Sequence, residues 1–145
     1  MTPMTRWIAP SLSLLAFVFA IAGSAAEQDR QQHHEHKTDD RGVLLAIAQA
    51  PQRTREWRNP YEGQPDAVLA GEKLFRQHCA ECHGSNARGK GHAVNLHLSA
   101  VQNATSGELE WFLRNGNLWR GMPSWSGLPE QRRWQIVAYL KSLRR

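Results

Sequence analysis

The 145-residue chain predicts an all-α fold, with three main helices joined by long loops. Three observations carry that prediction. Apolar residues recur at helical spacing in three segments after residue 65. The stretches between them show no strand-like alternation. The first segment closes on Cys79-Ala80-Glu81-Cys82-His83, which holds both cysteines of the chain.

Residues 1–26 read as a secretory signal peptide. Arg6 supplies the positive start, Ile8 to Ala22 the apolar stretch, and Ser24-Ala25-Ala26 the small residues before a cut at Glu27. The competing reading is an uncleaved membrane anchor. The apolar stretch falls short of the ~20 residues of a spanning helix, and Pro10 interrupts its start. Cleavage implies a periplasmic or otherwise exported soluble protein, and retention implies one anchored to the membrane.

Residues 27–58 read as a polar His-rich tail followed by a Pro/Arg-containing linker, disordered in part. The run from Glu27 to Gly42 has too little apolar surface to offset the entropy of ordering it. His33, His34 and His36 suit metal binding by composition and solvation by location. Val43 to Ala50 is a short apolar run ended by Pro51, with helical character and a chance to dock. Trp57 and Tyr61 are expected to pack on the domain, which is placed at residues 59–145.

Within that domain the first helix runs from about Asp66, a candidate N-cap after Pro65, through Cys82. Val68, Leu69, Leu74 and Phe75 form its apolar side. The second follows Thr105-Ser106-Gly107-Glu108, a capping-box pattern, and stops at Gly116. Leu109, Trp111, Phe112 and Leu113 are its apolar residues. The third starts near Pro129. Trp134, Val137, Ala138 and Leu140 recur along it, and Lys141, Arg144 and Arg145 sit at the negative end of its dipole. So small a domain with such loops is marginal on an apolar core alone.

Cys-x-x-Cys-His is the pattern of covalent c-type haem attachment. Two cysteines three positions apart lie one helical turn apart on one side. Their thiols can form thioethers with the two vinyl groups of a porphyrin, and His83 can then ligate the iron. A redox pair needs a preceding strand, which is missing, and a closed zinc site needs further ligands at matching spacing. One such motif implies one haem c as the cofactor, and a flat apolar ring that completes the core. Without it the chain is expected to fold poorly. His78 is read as solvent-facing.

Removal of residues 1–26 leaves Met122 as the only methionine. It lies in Gly121-Met122-Pro123, in the loop between the second and third helices, and is the candidate sixth ligand. Its soft sulfur favours ferrous iron and raises the reduction potential relative to two histidines. His92 and His97 are the rivals. Trp119, Trp125 and Arg120 flank Met122 and are candidates to line the ring or to bond a propionate. Arg88, Lys90 and Asn115 are weaker ones.

Residues 60–145 resemble a class I monohaem c-type cytochrome. The resemblance lies in Cys79-Ala80-Glu81-Cys82-His83-Gly84, Arg114-Asn115-Gly116, Gly121-Met122-Pro123 and the closing Val137-Ala138-Tyr139-Leu140. It implies a cytochrome c-like fold in which the first and last helices cross at Gly71 and Phe75, with Phe75 meeting Trp134 or Tyr139. The family commonly has a proline in the loop after the haem motif, whose carbonyl orients the ligand histidine. Here His92 stands in that place, so its carbonyl is the expected acceptor for the His83 ring.

The function these residues imply is one-electron transfer, without catalysis, between exported or membrane redox partners. The resemblance suggests a dehydrogenase, a quinol-oxidising complex, or a terminal oxidase or reductase as partner. A net charge of +5 is too modest for nucleic acid and suits an acidic protein partner. A haem-based sensor or small peroxidase-like enzyme is the alternative, and requires a displaceable Met122. A third reading is metal delivery by the His33–His36 tail.

Overall fold

The computed structural model describes residues 40–144. In chain order it contains α1 (40–47), a 3-10 turn (Gln52–Glu56), α2 (Pro65–His78) and α3 (Ala80–His83). There follow α4 (Ser99–Asn103), α5 (Ser106–Asn115), a second 3-10 turn (Leu118–Arg120) and α6 (Glu130–Ser142). The described residues contain no strand, only one isolated bridge between Asn117 and Met122. The expected signal peptide at 1–26, His33, His34 and His36 of the tail, and Arg145 lie outside them.

The frame is the crossing of α2 and α6. Ala67, Gly71 and Phe75 are the buried positions of α2, one per helical turn. A Cβ on Gly71 would collide with the Gln135 carbonyl oxygen of α6. The missing side chain therefore sets how closely the axes approach. Phe75 is 1% exposed, and its ring lies 5.2 Å from that of Tyr139 at a tilted angle, an arrangement aromatic pairs prefer. Leu69, expected on the apolar side, is instead exposed, because it lies on the side of the helix turned away from Ala67, Gly71 and Phe75. The N-cap is Gln64, with Pro65 and Asp66 in the first turn. Proline suits that position because its missing N–H has no helical partner there.

α5 begins as its sequence requires. The Glu108 backbone N–H donates to Thr105 Oγ1, and Glu108 Oε2 accepts from the Thr105 N–H at 2.8 Å. Gly116 closes it. Leu109 and Leu113 are buried as expected, but so are Glu108 and Glu110, while Trp111 and Phe112 are only half-covered. Each carboxylate is paired with a guanidinium, an exposed one for Glu108 and a buried one for Glu110: Arg55 Nε to Glu108 at 2.7 Å, and Arg133 Nε to Glu110 at 2.8 Å. Burial alone pushes the Glu108 carboxyl up. The Thr105 N–H, the Arg55 guanidinium and the Thr105 hydroxyl outweigh it and hold the group below its ordinary range.

The compact unit starts ahead of the boundary expected at residue 59. Val43 and Ile47 of α1 belong to the same core as Phe75 and Val137. Thr54 is fully buried, and a Cβ on Gly107 would strike its carbonyl oxygen. Asp40 accepts from Ser99 Oγ at 2.8 Å and from the Ala100 N–H at 3.0 Å, and so caps α4 from a distant part of the chain. Asn59 Nδ2 donates to the Trp134 carbonyl at 3.0 Å. Trp57 and Tyr61 rest half-buried on the core, as expected. At the other end, Lys141 Nζ donates to the carbonyls of Gln102 and Ala104. It therefore caps the C-terminal end of α4 rather than serving its own helix.

Gly71→Val should destabilise the holo-protein by about 2–3 kcal/mol, read as a lower urea midpoint. Glu108→Gln should cost about 1 kcal/mol at neutral pH. Because the folded-state pKa of Glu108 is lowered, its contribution is complete above the usual carboxylate range and lost on acidification. The urea midpoints of wild type and variant should therefore converge as the pH falls.

Candidate functional site

The first helix ends sooner than the sequence suggested. α2 stops at His78, and Cys79 (φ −118°, ψ −32°) bends the chain before α3 begins. Helical bonding resumes across the bend: the His83 N–H donates to the Cys79 carbonyl at 2.9 Å. Cys79 and Cys82 therefore still flank one turn, with His83 directly behind. Both thiols are free, Cys79 half-buried and Cys82 exposed. Burial first, and the neighbouring Cys82 second, push the Cys79 thiol up to about 11.

His83 is oriented by the loop that follows it. Its ring Nδ1 lies 2.9 Å from the Val94 carbonyl. A carbonyl can only accept, so Nδ1 carries the proton and Nε2 keeps a lone pair free for a metal. The expected acceptor was His92, which is instead exposed, and its carbonyl is not used. The reason lies in the turns. The Gly89 N–H bonds the His83 carbonyl at 2.8 Å, and the Ala93 N–H bonds the Lys90 carbonyl. Gly89 has φ +84°, and a Cβ there would collide with the Ala93 carbonyl oxygen. The loop folds back tightly only at a glycine, and the fold-back brings Val94, two residues on, over the imidazole. His97, the other rival, donates from Nε2 to the Asn86 carbonyl at 2.9 Å and braces this loop.

Met122 is set on the C-terminal end of α5. Asn117 and Met122 exchange backbone hydrogen bonds of 2.8 and 3.0 Å, closing the loop between them. The Trp125 N–H donates to the Leu113 carbonyl at 3.0 Å, and Ser124 Oγ to the Arg114 carbonyl at 2.6 Å. These are carbonyls that a helix end leaves without partners. Gly116 has φ +69°, and a Cβ there would lie against the Pro123 carbonyl. Glycine is thus needed both for the turn and for the return of the chain.

Around these groups lie apolar side chains that the protein covers only in part. Cys79, Ala80, Val94, Leu96, Met122 and Trp125 all rest half-buried on the same core. Trp125 lies 5.5 Å from the His78 ring at a tilt, which brings the methionine segment beside Cys79. His78 is half-buried rather than solvent-facing. Trp119 is fully exposed, and Leu118 is 74% exposed. Arg120 lies beside Gly42 of α1. Asn115 donates to the Trp111 carbonyl at 2.7 Å, while Arg88 and Lys90 are exposed. Sequence reasoning missed Val94, since nothing marks which carbonyl a loop will present. No helix among the described residues is long and apolar enough to cross a membrane.

Gly116→Ala should destabilise the protein by about 2 kcal/mol, measured by urea unfolding.

A family model described as cytochrome C oxidase, cbb3-type, subunit III matches residues 66–140. Cytochrome c550 of Pseudomonas aeruginosa is 31% identical over 99 residues, covering 62% of this chain and 65% of that protein. The crystal structure of cytochrome cL from the marine methylotroph Methylophaga aminisulfidivorans superposes with a TM-score of 0.51 at 28% identity. That match covers 57% of each chain. The chain thus spans less than two thirds of the length of either relative.

Proposed function

The chain belongs to the family of c-type cytochrome domains described as cytochrome C oxidase, cbb3-type, subunit III, whose cofactor is covalently bound haem c, and on that basis we propose that it is a one-electron carrier. Cys79 and Cys82 would hold the ring through thioethers, and His83 and Met122 would ligate the iron. The observation that carries this reading is the His83–Val94 hydrogen bond. It fixes the tautomer and plane of the imidazole and leaves Nε2 as the donor.

The residues present fit the group. Two unpaired thiols follow the attachment spacing, and the half-covered apolar side chains around them supply the surface a porphyrin would bury. When bound, the haem supplies a ferric/ferrous couple. The protein's part is to keep both axial donors in place in either state, so that little rearrangement accompanies transfer. Val94 holds His83, and the bridge to Asn117 holds Met122. Trp125, beside His78, would line the ring. Trp119 and Arg120, at the tip of the same loop, would contact its edge or a propionate.

Residues 1–26 direct export, and the protein works in the periplasm or an equivalent compartment. Its partners are redox proteins: a dehydrogenase, a quinol-oxidising complex, or a terminal oxidase or reductase. Its excess of basic over acidic residues favours encounter with an acidic partner face, through a small and transient interface.

Met122→Ala should abolish the weak near-infrared sulfur-to-iron band of the ferric protein and lower its reduction potential. A variant that kept the band would remove Met122 as the ligand.

A further inference from the structure

Arg133 lies in the first turns of α6. In the structure it is 5% exposed, and its guanidinium works in two directions. Nε donates to Glu110 Oε1 of α5 at 2.8 Å, with both side chains more than nine-tenths buried. Nη1 donates to the Leu128 carbonyl, in the segment that runs from Met122 into α6.

From Leu128 a chain of bonds returns to α5. The Leu128 N–H donates to the Trp125 carbonyl at 3.0 Å, and the Trp125 N–H donates to the Leu113 carbonyl at 3.0 Å. Glu110 and Leu113 lie three residues apart, hence one turn apart on the same helix. Arg133, Leu128, Trp125, Leu113 and Glu110 therefore form a closed circuit. It spans α5, α6 and the segment just after Met122. Trp125 also packs on His78 beside Cys79, so the circuit reaches the attachment side of the site.

A buried ion pair adds little net stability when compared with a well-packed apolar pair, but it is costly to break. Its value lies in geometry. The planar guanidinium aims two donors in fixed directions, and here one is anchored on a rigid helix while the other grips a loop carbonyl. We propose that Arg133, anchored by Glu110, is a positioning residue for Met122: it holds the Trp125–Leu128 turn so that the methionine sulfur stays at the iron. This rests on the reading of Met122 as the axial ligand. Loss of either guanidinium bond lets the segment swing away and opens the sixth position to competitors.

The test is an imidazole titration of the ferric holo-protein, followed by the near-infrared sulfur-to-iron band. Arg133→Lys keeps a cation opposite Glu110 but loses the second donor to Leu128, and is mild enough to preserve the fold, as far-UV circular dichroism will record. Loss of one charge-assisted hydrogen bond should let imidazole displace Met122 at about tenfold lower concentration. Arg132→Met, at an exposed position on the same helix, should stay within about twofold of wild type. Glu110→Gln, which leaves the guanidinium without its anchoring charge, should shift in the same direction as Arg133→Lys. The inference is overturned if Arg133→Lys titrates like wild type, or if Arg132→Met shifts as far. A wild-type protein that lacks the band overturns the ligand reading as well, and that result is visible before any variant is made.

Discussion

The crossing of α2 and α6 at Gly71 leaves no space for a side chain, and this close approach fixes how α2 lies on α6. Phe75, one turn further on, is locked against Tyr139, and the chain reaches Cys79 four residues later. The attachment motif is thereby held at a set height above the core. The same α6 begins just after the segment that carries Met122 and sends Arg133 back to hold it. One interhelical contact thus joins the helix that leads into the Cys79–His83 motif to the helix whose Arg133 bonds the segment after Met122.

Much of this was legible in the residues because it is local. The Cys-x-x-Cys-His spacing, the Thr105–Glu108 capping box and the Gly116 stop each depend on neighbours a few positions away, and each holds in the structure. Gly71 with Phe75 was legible through resemblance. What the sequence hid is where distant backbone groups meet. The acceptor for His83 is the carbonyl of Val94, and carbonyls carry no signature of residue type. The bend at Cys79 splits a helix whose pattern runs on without a break. Asp40 caps α4 from some 60 positions upstream, and Lys141 caps its other end. The burial of Glu110 and Arg133 depends on their pairing across two helices, which no local pattern marks.

The stretch before residue 59 changed most between sequence and structure. It was placed outside the domain, with docking of Val43–Ala50 left open and the residues from Pro51 read as a linker, yet Val43, Ile47 and Thr54 are all buried. The matched family covers residues 66–140, and this segment lies ahead of that match. It covers the α4 and α5 faces, using Gly107 as the point of closest approach and Arg55–Glu108 as a lock. A small helical domain with long loops gains core volume in this way, in addition to what the bound ring supplies.

The central claim is that this fold is built around a porphyrin joined to Cys79 and Cys82 by carbon–sulfur bonds. Denaturing electrophoresis of protein expressed with haem-attachment machinery, stained for haem after cold acid–acetone extraction, tests it most directly. The account predicts that the stain travels with the polypeptide and survives extraction. Colour that passes entirely into the acetone, leaving an unstained band, would contradict it.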